Sequence, residues 1–165
     1  MVDTKIAPQA HGQLCRVINV RIMQSRIGLL AQGFILLSAA AFLSVSVLAF
    51  INPQAVMDLV QVRLPNTDAY SSIRGAYGGV GLTLCISLVY LLLRDRRTGL
   101  RFLCLLWGLY ALSRVLTIFI EGTLGAFGRQ WLLIETTGFL IALSLLWADR
   151  RVVFTDTRLR NEGRR

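Results

Sequence analysis

Four long apolar runs, at residues 27–51, 70–93, 99–120 and 127–148, restrict this chain more than any other feature. Each is close to the roughly 20 residues that a helix needs to cross a hydrocarbon core of about 30 Å. Burying four such runs away from water would take a core larger than a 165-residue chain can build. Hydrophobic residues make up 55% of the chain and charged residues 16%, which is too apolar a balance for an ordinary soluble domain. The runs are continuous, whereas barrel strands are about ten residues of alternating polarity. The fold class expected is therefore all-α: an integral membrane, up-down four-helix bundle. Arg26 before the first run and SAAAF within it resemble a signal peptide, but a signal-peptide core spans only about 7–15 residues. An uncleaved first span is the better reading.

Charge gives the orientation. The amino tail (1–26) carries Lys5, Arg16, Arg21 and Arg26 against Asp3. The link between spans two and three carries Arg94, Arg96, Arg97 and Arg101 against Asp95. The carboxyl tail (149–165) carries six arginines against Asp149, Asp156 and Glu162. These three segments account for the whole net charge of +9, so the rest of the chain sums to zero. The positive-inside rule then predicts that both termini and the second link are cytoplasmic, in contact with anionic lipid. No aromatic-interleaved basic module or zinc pattern accompanies the arginines, so nucleic acid is not an expected partner. Cys15, Cys85 and Cys104 are scattered and His11 is the only histidine, which leaves no metal or cofactor expected. Residues 1–22 show no clean period and are read either as a disordered tail or as sequence ahead of a start at Met23.

The connections add one more element. After Asn52, a good helix cap, and Pro53, suited to a first helical position, Ala55, Val56, Leu59 and Val60 share one face before Pro65. A short helix in the outer interface is expected, either as a lid over the bundle mouth or packed on the helix ends. The links at 94–98 and 121–126 are short, which makes sequential helices antiparallel neighbours.

Depth arithmetic identifies a polar constellation. Arg114 lies roughly 9 Å from the outer end of span three, and Glu135 roughly 12 Å into span four, at about 1.5 Å per residue. An isolated charge at mid-membrane costs at least about 2.5–3.5 kcal/mol, so each should seek the other. Arg74 near the outer mouth of span two, and Glu121 two turns beyond Arg114, complete an expected cluster with Tyr77 and Tyr110 as neighbours. Two readings follow: a latch that sets helix register, or a small-molecule site. Gly75, Gly79 and Thr83 recur every four residues along span two, with Gly78 and Gly81 beside them and Gly138 on span four. All are read as positions where helix backbones approach closely.

IRGAYGGVGL (73–82), RTGLR (97–101), Arg114 with the Glu121-Gly122 turn, and LLIETTGFLIALSLL (132–146) resemble domain of unknown function family 4345, over roughly residues 27–148. The resemblance implies a small four-span protein of a bacterial inner membrane and brings no activity with it. With no histidine or nucleophile–base pair in the spans, the function expected is a non-enzymatic accessory component of a membrane complex with a protein partner. The alternative is a lipid- or small-molecule-binding protein, or a transporter, using the outer Arg/Glu cluster.

Overall fold

A computed structural model describes the backbone of residues 6–162 and the side chains of residues 22–151. Within these bounds helices are the only regular elements, without strands. Helix α1 spans Ile6–Ile51 and α2 spans Pro53–Asp58. Helix α3 (Thr67–Ile73), a π-helical turn (Arg74–Gly79) and α4 (Val80–Arg94) follow one another as a single membrane-length rod. Helix α5 spans Arg96–Ile120 and α6 spans Ala126–Glu162. Four stretches are long and apolar enough to cross a membrane: Ile22–Ile51, Thr67–Arg94, Arg96–Ile120 and Ala126–Arg151. Helix α1 continues back to Ile6 and so includes much of the amino tail, while residues 1–5 lie outside the described residues.

Local chemistry sets the helix boundaries. The Asn52 side chain accepts from the Ala55 N–H at 3.2 Å, with Pro53 opening α2. Asn66 caps α3 through the Ala69 N–H at 2.9 Å. Asp95 alone separates α4 from α5; it accepts from the Arg97 N–H at 3.0 Å and the Thr98 hydroxyl at 2.5 Å. These caps satisfy amide groups that a helix leaves orphaned at its start. Between α5 and α6 the chain turns through Gly122 at φ 102°, a conformation that favours glycine.

Helix α2 is shorter than its apolar pattern suggests. It stops at Asp58, with Gln61 left-handed at φ 58° and the Val62 N–H returning to the Met57 carbonyl at 3.1 Å. Leu59 and Val60 are therefore exposed, and the buried face is Pro53, Val56 and Met57. Val56 and Met57 pack on Ala49 of α1, with Leu64 and Ile73 alongside. Gln54 closes this loop, donating to Asp58 and the Val62 carbonyl and accepting from the Leu64 N–H.

The bundle consists of two close pairs, α5 with α6 and α1 with α4, joined chiefly through α1 against α6. Helices α4 and α5 touch less, although only Asp95 separates them. A one-residue link fixes adjacency at the turn and leaves the far ends free to diverge. Ile35, Leu88, Leu100, Leu103, Trp107 and Leu146 are the larger side chains of the shared core.

Candidate functional site

Helix α6 buries one continuous stripe: Glu135, Gly138, Ala142, Leu146 and Asp149. The steps of three and four residues keep these on one helical face. The stripe is apolar in the middle and acidic at both ends. Helix α5 faces it with Leu100, Leu103 and Trp107 in the middle and arginines at both ends.

At one end Arg114 donates from Nε and Nη2 to the two Glu135 carboxylate oxygens, at 2.6 and 2.9 Å. Glu135 is 2% exposed, which leaves this carboxylate no acceptor capacity toward solvent. A bidentate fork is the strongest geometry for such a pair and fixes both rotamers. At the other end Arg97 donates from Nε to Asp149 at 2.7 Å, and Arg96 reaches the same carboxylate at 3.4 Å. Between the two ion pairs the helices interlock. A Cβ on Gly138 would lie 3.1 Å from the Trp107 indole, and one on Gly108 would lie 3.1 Å from the Phe139 ring. Trp107 also stacks on Phe42 of α1, with ring centroids 5.7 Å apart. Its Nε1 is buried and makes no hydrogen bond to any described residue.

The other members of the expected cluster are arranged differently. Tyr110 lies one turn from Arg114, tilted against Trp107 and within electrostatic range of Tyr77, Glu135 and Arg114. Tyr77 and Tyr110 are both exposed, and Leu106, Leu109, Tyr110 and Ser113 line a shallow groove of about 280 Å³. Arg74 does not join the pair. Its Nε donates to the Phe50 carbonyl at 3.2 Å, capping one of the last carbonyls of α1. Glu121 stays exposed at the end of α5, and its carboxylate pairs with no described residue. The four-membered cluster thus reduces to one ion pair with two tyrosines near it. Arg74 has a nearer acceptor, because α1 ends beside it with carbonyls that no helical amide can reach.

The glycines of RGAYGG also depart from a simple stripe. Gly75 and Gly79 face open space, with nothing within 4 Å of a Cβ placed there. Close approach occurs instead at Gly78, against the Phe50 ring, and at Gly81, whose Cβ would lie 3.2 Å from Ser46. Gly75, Gly79 and Thr83 do share one face, but it is the open one, and the face that packs on α1 is that of Gly78, Gly81 and Leu88. A π turn over Arg74–Gly79 widens the helix at this level. The widened turn is supported by side chains: Ser46 donates to the Gly78 carbonyl, and Thr83 donates to the Gly79 carbonyl at 2.9 Å. Thr83 therefore acts as a hydrogen-bond donor at this turn and not as a packing surface.

Among the described residues no three His, Cys, Asp or Glu side chains converge as a metal site would require. Cys85 and Cys104 are unpaired thiols, half-buried on α4 and α5. Two features were not legible as sites in the sequence: the Arg96/Arg97–Asp149 junction, which reads as a topology signal, and Gly108. The spacing of Asp149 was the available signal, because it falls on the same helical face as Glu135.

No curated protein and no solved structure matches this chain. A family match covers residues 30–160 and so runs past residue 148 into the basic tail that the motif resemblance left out. This helical chain with four membrane-length helices belongs to the family described as domain of unknown function (DUF4345).

Proposed function

We propose that the chain is a non-enzymatic accessory component of a bacterial inner-membrane complex, with both termini cytoplasmic, and that Arg114–Glu135 is its register latch. The observation that carries this reading is the closure of the pair on itself. Both Glu135 oxygens are taken by one guanidinium, and the carboxylate is buried. A charge already neutralised in this way recruits no ion. The apolar exterior supports a partner or lipid role: only 11% of the most apolar window of α5 is buried within the chain. The orientation rests on the surplus of arginine at the Asp95 link and in both tails. Under the same orientation α2 lies in the outer interface.

The test is a pair of charge-removing changes. Arg114→Leu with Glu135→Leu should fold and keep its partner, whereas either change alone should deplete the folded protein. A double variant that folds normally but loses a bound small molecule would overturn the latch. Native mass spectrometry of the purified chain then identifies what it carries; a stoichiometric protein supports the accessory role.

One observation favours a second reading. The groove at Leu106, Leu109, Tyr110 and Ser113 adjoins the pair and offers a tyrosine hydroxyl beside apolar walls. A lipid or small molecule retained there, and lost on Leu109→Trp, would favour the binding or transport role.

A further inference from the structure

At the end of the bundle opposite the Arg114–Glu135 pair, a polar cavity of about 440 Å³ is lined by Gln24, Asp95, Arg96, Arg97, Arg101 and Asp149. These residues come from α1, the α4–α5 link, α5 and α6, so three helices and a link meet at one opening. Arginines that merely signal topology need only be solvated near a helix end. Arg96 and Arg97 are turned inward instead, onto an Asp149 that is 7% exposed. Gly28 makes room for this arrangement: a Cβ there would lie 2.5 Å from Arg96 Nη1.

The charges do not balance. Three guanidiniums line the cavity against two carboxylates, and both carboxylates are occupied. Asp95 is engaged with the Arg97 amide and the Thr98 hydroxyl, and Asp149 with Arg96 and Arg97. Arg101 makes no hydrogen bond or close ion pair among the described residues, although its charge acts on Asp95. Arg96 and Arg97 each keep N–H donors that Asp149 does not use. A cavity with one surplus positive charge, several oriented donors and a buried carboxylate holding them in place suits an oxyanion with several acceptor oxygens.

We propose that this cavity binds a phosphate group, carried on an anionic lipid or free in solution. Asp149 and Gly28 orient Arg96 and Arg97, and Arg101 supplies a guanidinium whose N–H donors are free of hydrogen bonds among the described residues. Since Arg101 is exposed and makes no hydrogen bond among the described residues, it can be changed without disturbing the helix packing.

The full-length chain in neutral detergent is titrated separately with phosphatidylglycerol, phosphatidylcholine and inorganic phosphate, and followed by native mass spectrometry and thermal unfolding. Phosphatidylglycerol is expected to bind in preference to phosphatidylcholine. Arg101→Gln should weaken that binding by at least about ten-fold, the scale of a lost charge-assisted hydrogen bond. Arg94→Gln, at the same end but outside the cavity, should weaken it by about five-fold or less, the generic contribution of one surface arginine. Gly28→Ala should displace the Arg96 guanidinium and weaken binding while thermal unfolding without lipid is unchanged. If inorganic phosphate alone stabilises the protein in an Arg101-dependent way, the free anion is the source; if only the lipid does, the source is a headgroup. Equal losses in Arg94→Gln and Arg101→Gln, or no preference for either anionic probe over zwitterionic phosphatidylcholine, would overturn the proposal.

Discussion

Between α5 and α6, Arg114 meets Glu135 toward one end and Arg97 meets Asp149 toward the other. Between α1 and the α3–α4 rod, no opposite charges meet among the described residues. There the polar links run to backbone carbonyls, from Ser46 to Gly78 and from Arg74 to Phe50. The first pair is specified by side chains that need each other. The second is specified by side chains that are small or missing. The two junctions should therefore fail differently: the charged one when a partner is removed, the close-packed one when an atom is added.

The largest effect should come from breaking the charged junction. Glu135→Leu leaves the half-buried Arg114 without its acceptor and should cost up to about 3–5 kcal/mol, measured as the loss of stability in detergent unfolding. Adding Arg114→Leu to that variant should restore most of the loss; no restoration would mean that the pair adds more than register. Next comes overpacking at the other junction. Gly81→Leu must enter the space of Ser46 and the Phe42 carbonyl, and a loss of about 1–3 kcal/mol is expected in the same assay. Gly75→Ala faces open space and should be neutral or stabilising by up to about 1 kcal/mol, so equal losses at Gly75 and Gly81 would break the contrast.

Ser46→Ala should cost about 1–3 kcal/mol by leaving the Gly78 carbonyl without its donor, and faster amide exchange through 74–79 would localise the damage. The smallest effect is at the Asp95 cap, where Asp95→Ala should cost about 1 kcal/mol. The Thr98 hydroxyl holds this carboxyl below its ordinary value of 3.8; desolvation is the next largest influence and opposes it, and the Arg97 and Thr98 amides and the Arg101 charge add to the lowering. Its contribution is complete above that value and is lost as pH falls through the lower folded value. A wild-type minus Asp95→Ala difference that grew with acidity would contradict the assignment.

How much of this could be read from residues alone differed between the same two junctions. The four spans were legible because twenty apolar residues admit few other fates. Depth counting put Arg114 and Glu135 at similar levels on adjacent helices, which requires only the helical rise. The glycine stripe was less tractable, because two faces of small residues run side by side and only contact with α1 selects Gly78 and Gly81 over Gly75 and Gly79. The π turn at Arg74–Gly79 was equally hidden. Nothing local announces the turn; Ser46, 32 residues earlier in the chain, supports it from another helix. Arg74 was misplaced for a related reason. Its acceptor is a backbone carbonyl, and carbonyls leave no trace in a sequence. Asp149 was hidden by its surroundings, since a carboxylate among arginines at a span end reads as solvated charge.

The acidic ends of the α6 stripe bear on how this protein enters its membrane. Glu135 lies inside the last span, and alone in lipid it would carry an unfavourable term of at least about 2.5–3.5 kcal/mol were its cost like that of Asp. Arg114 imposes a similar burden on α5. Each helix alone would carry one uncompensated charge into the bilayer, whereas together they form a hairpin in which Arg114 and Glu135 cancel, joined by a turn from Glu121 to Gly125. Biogenesis should therefore release α5 and α6 into the bilayer as a unit, with α5 retained at the insertion machinery until its partner emerges.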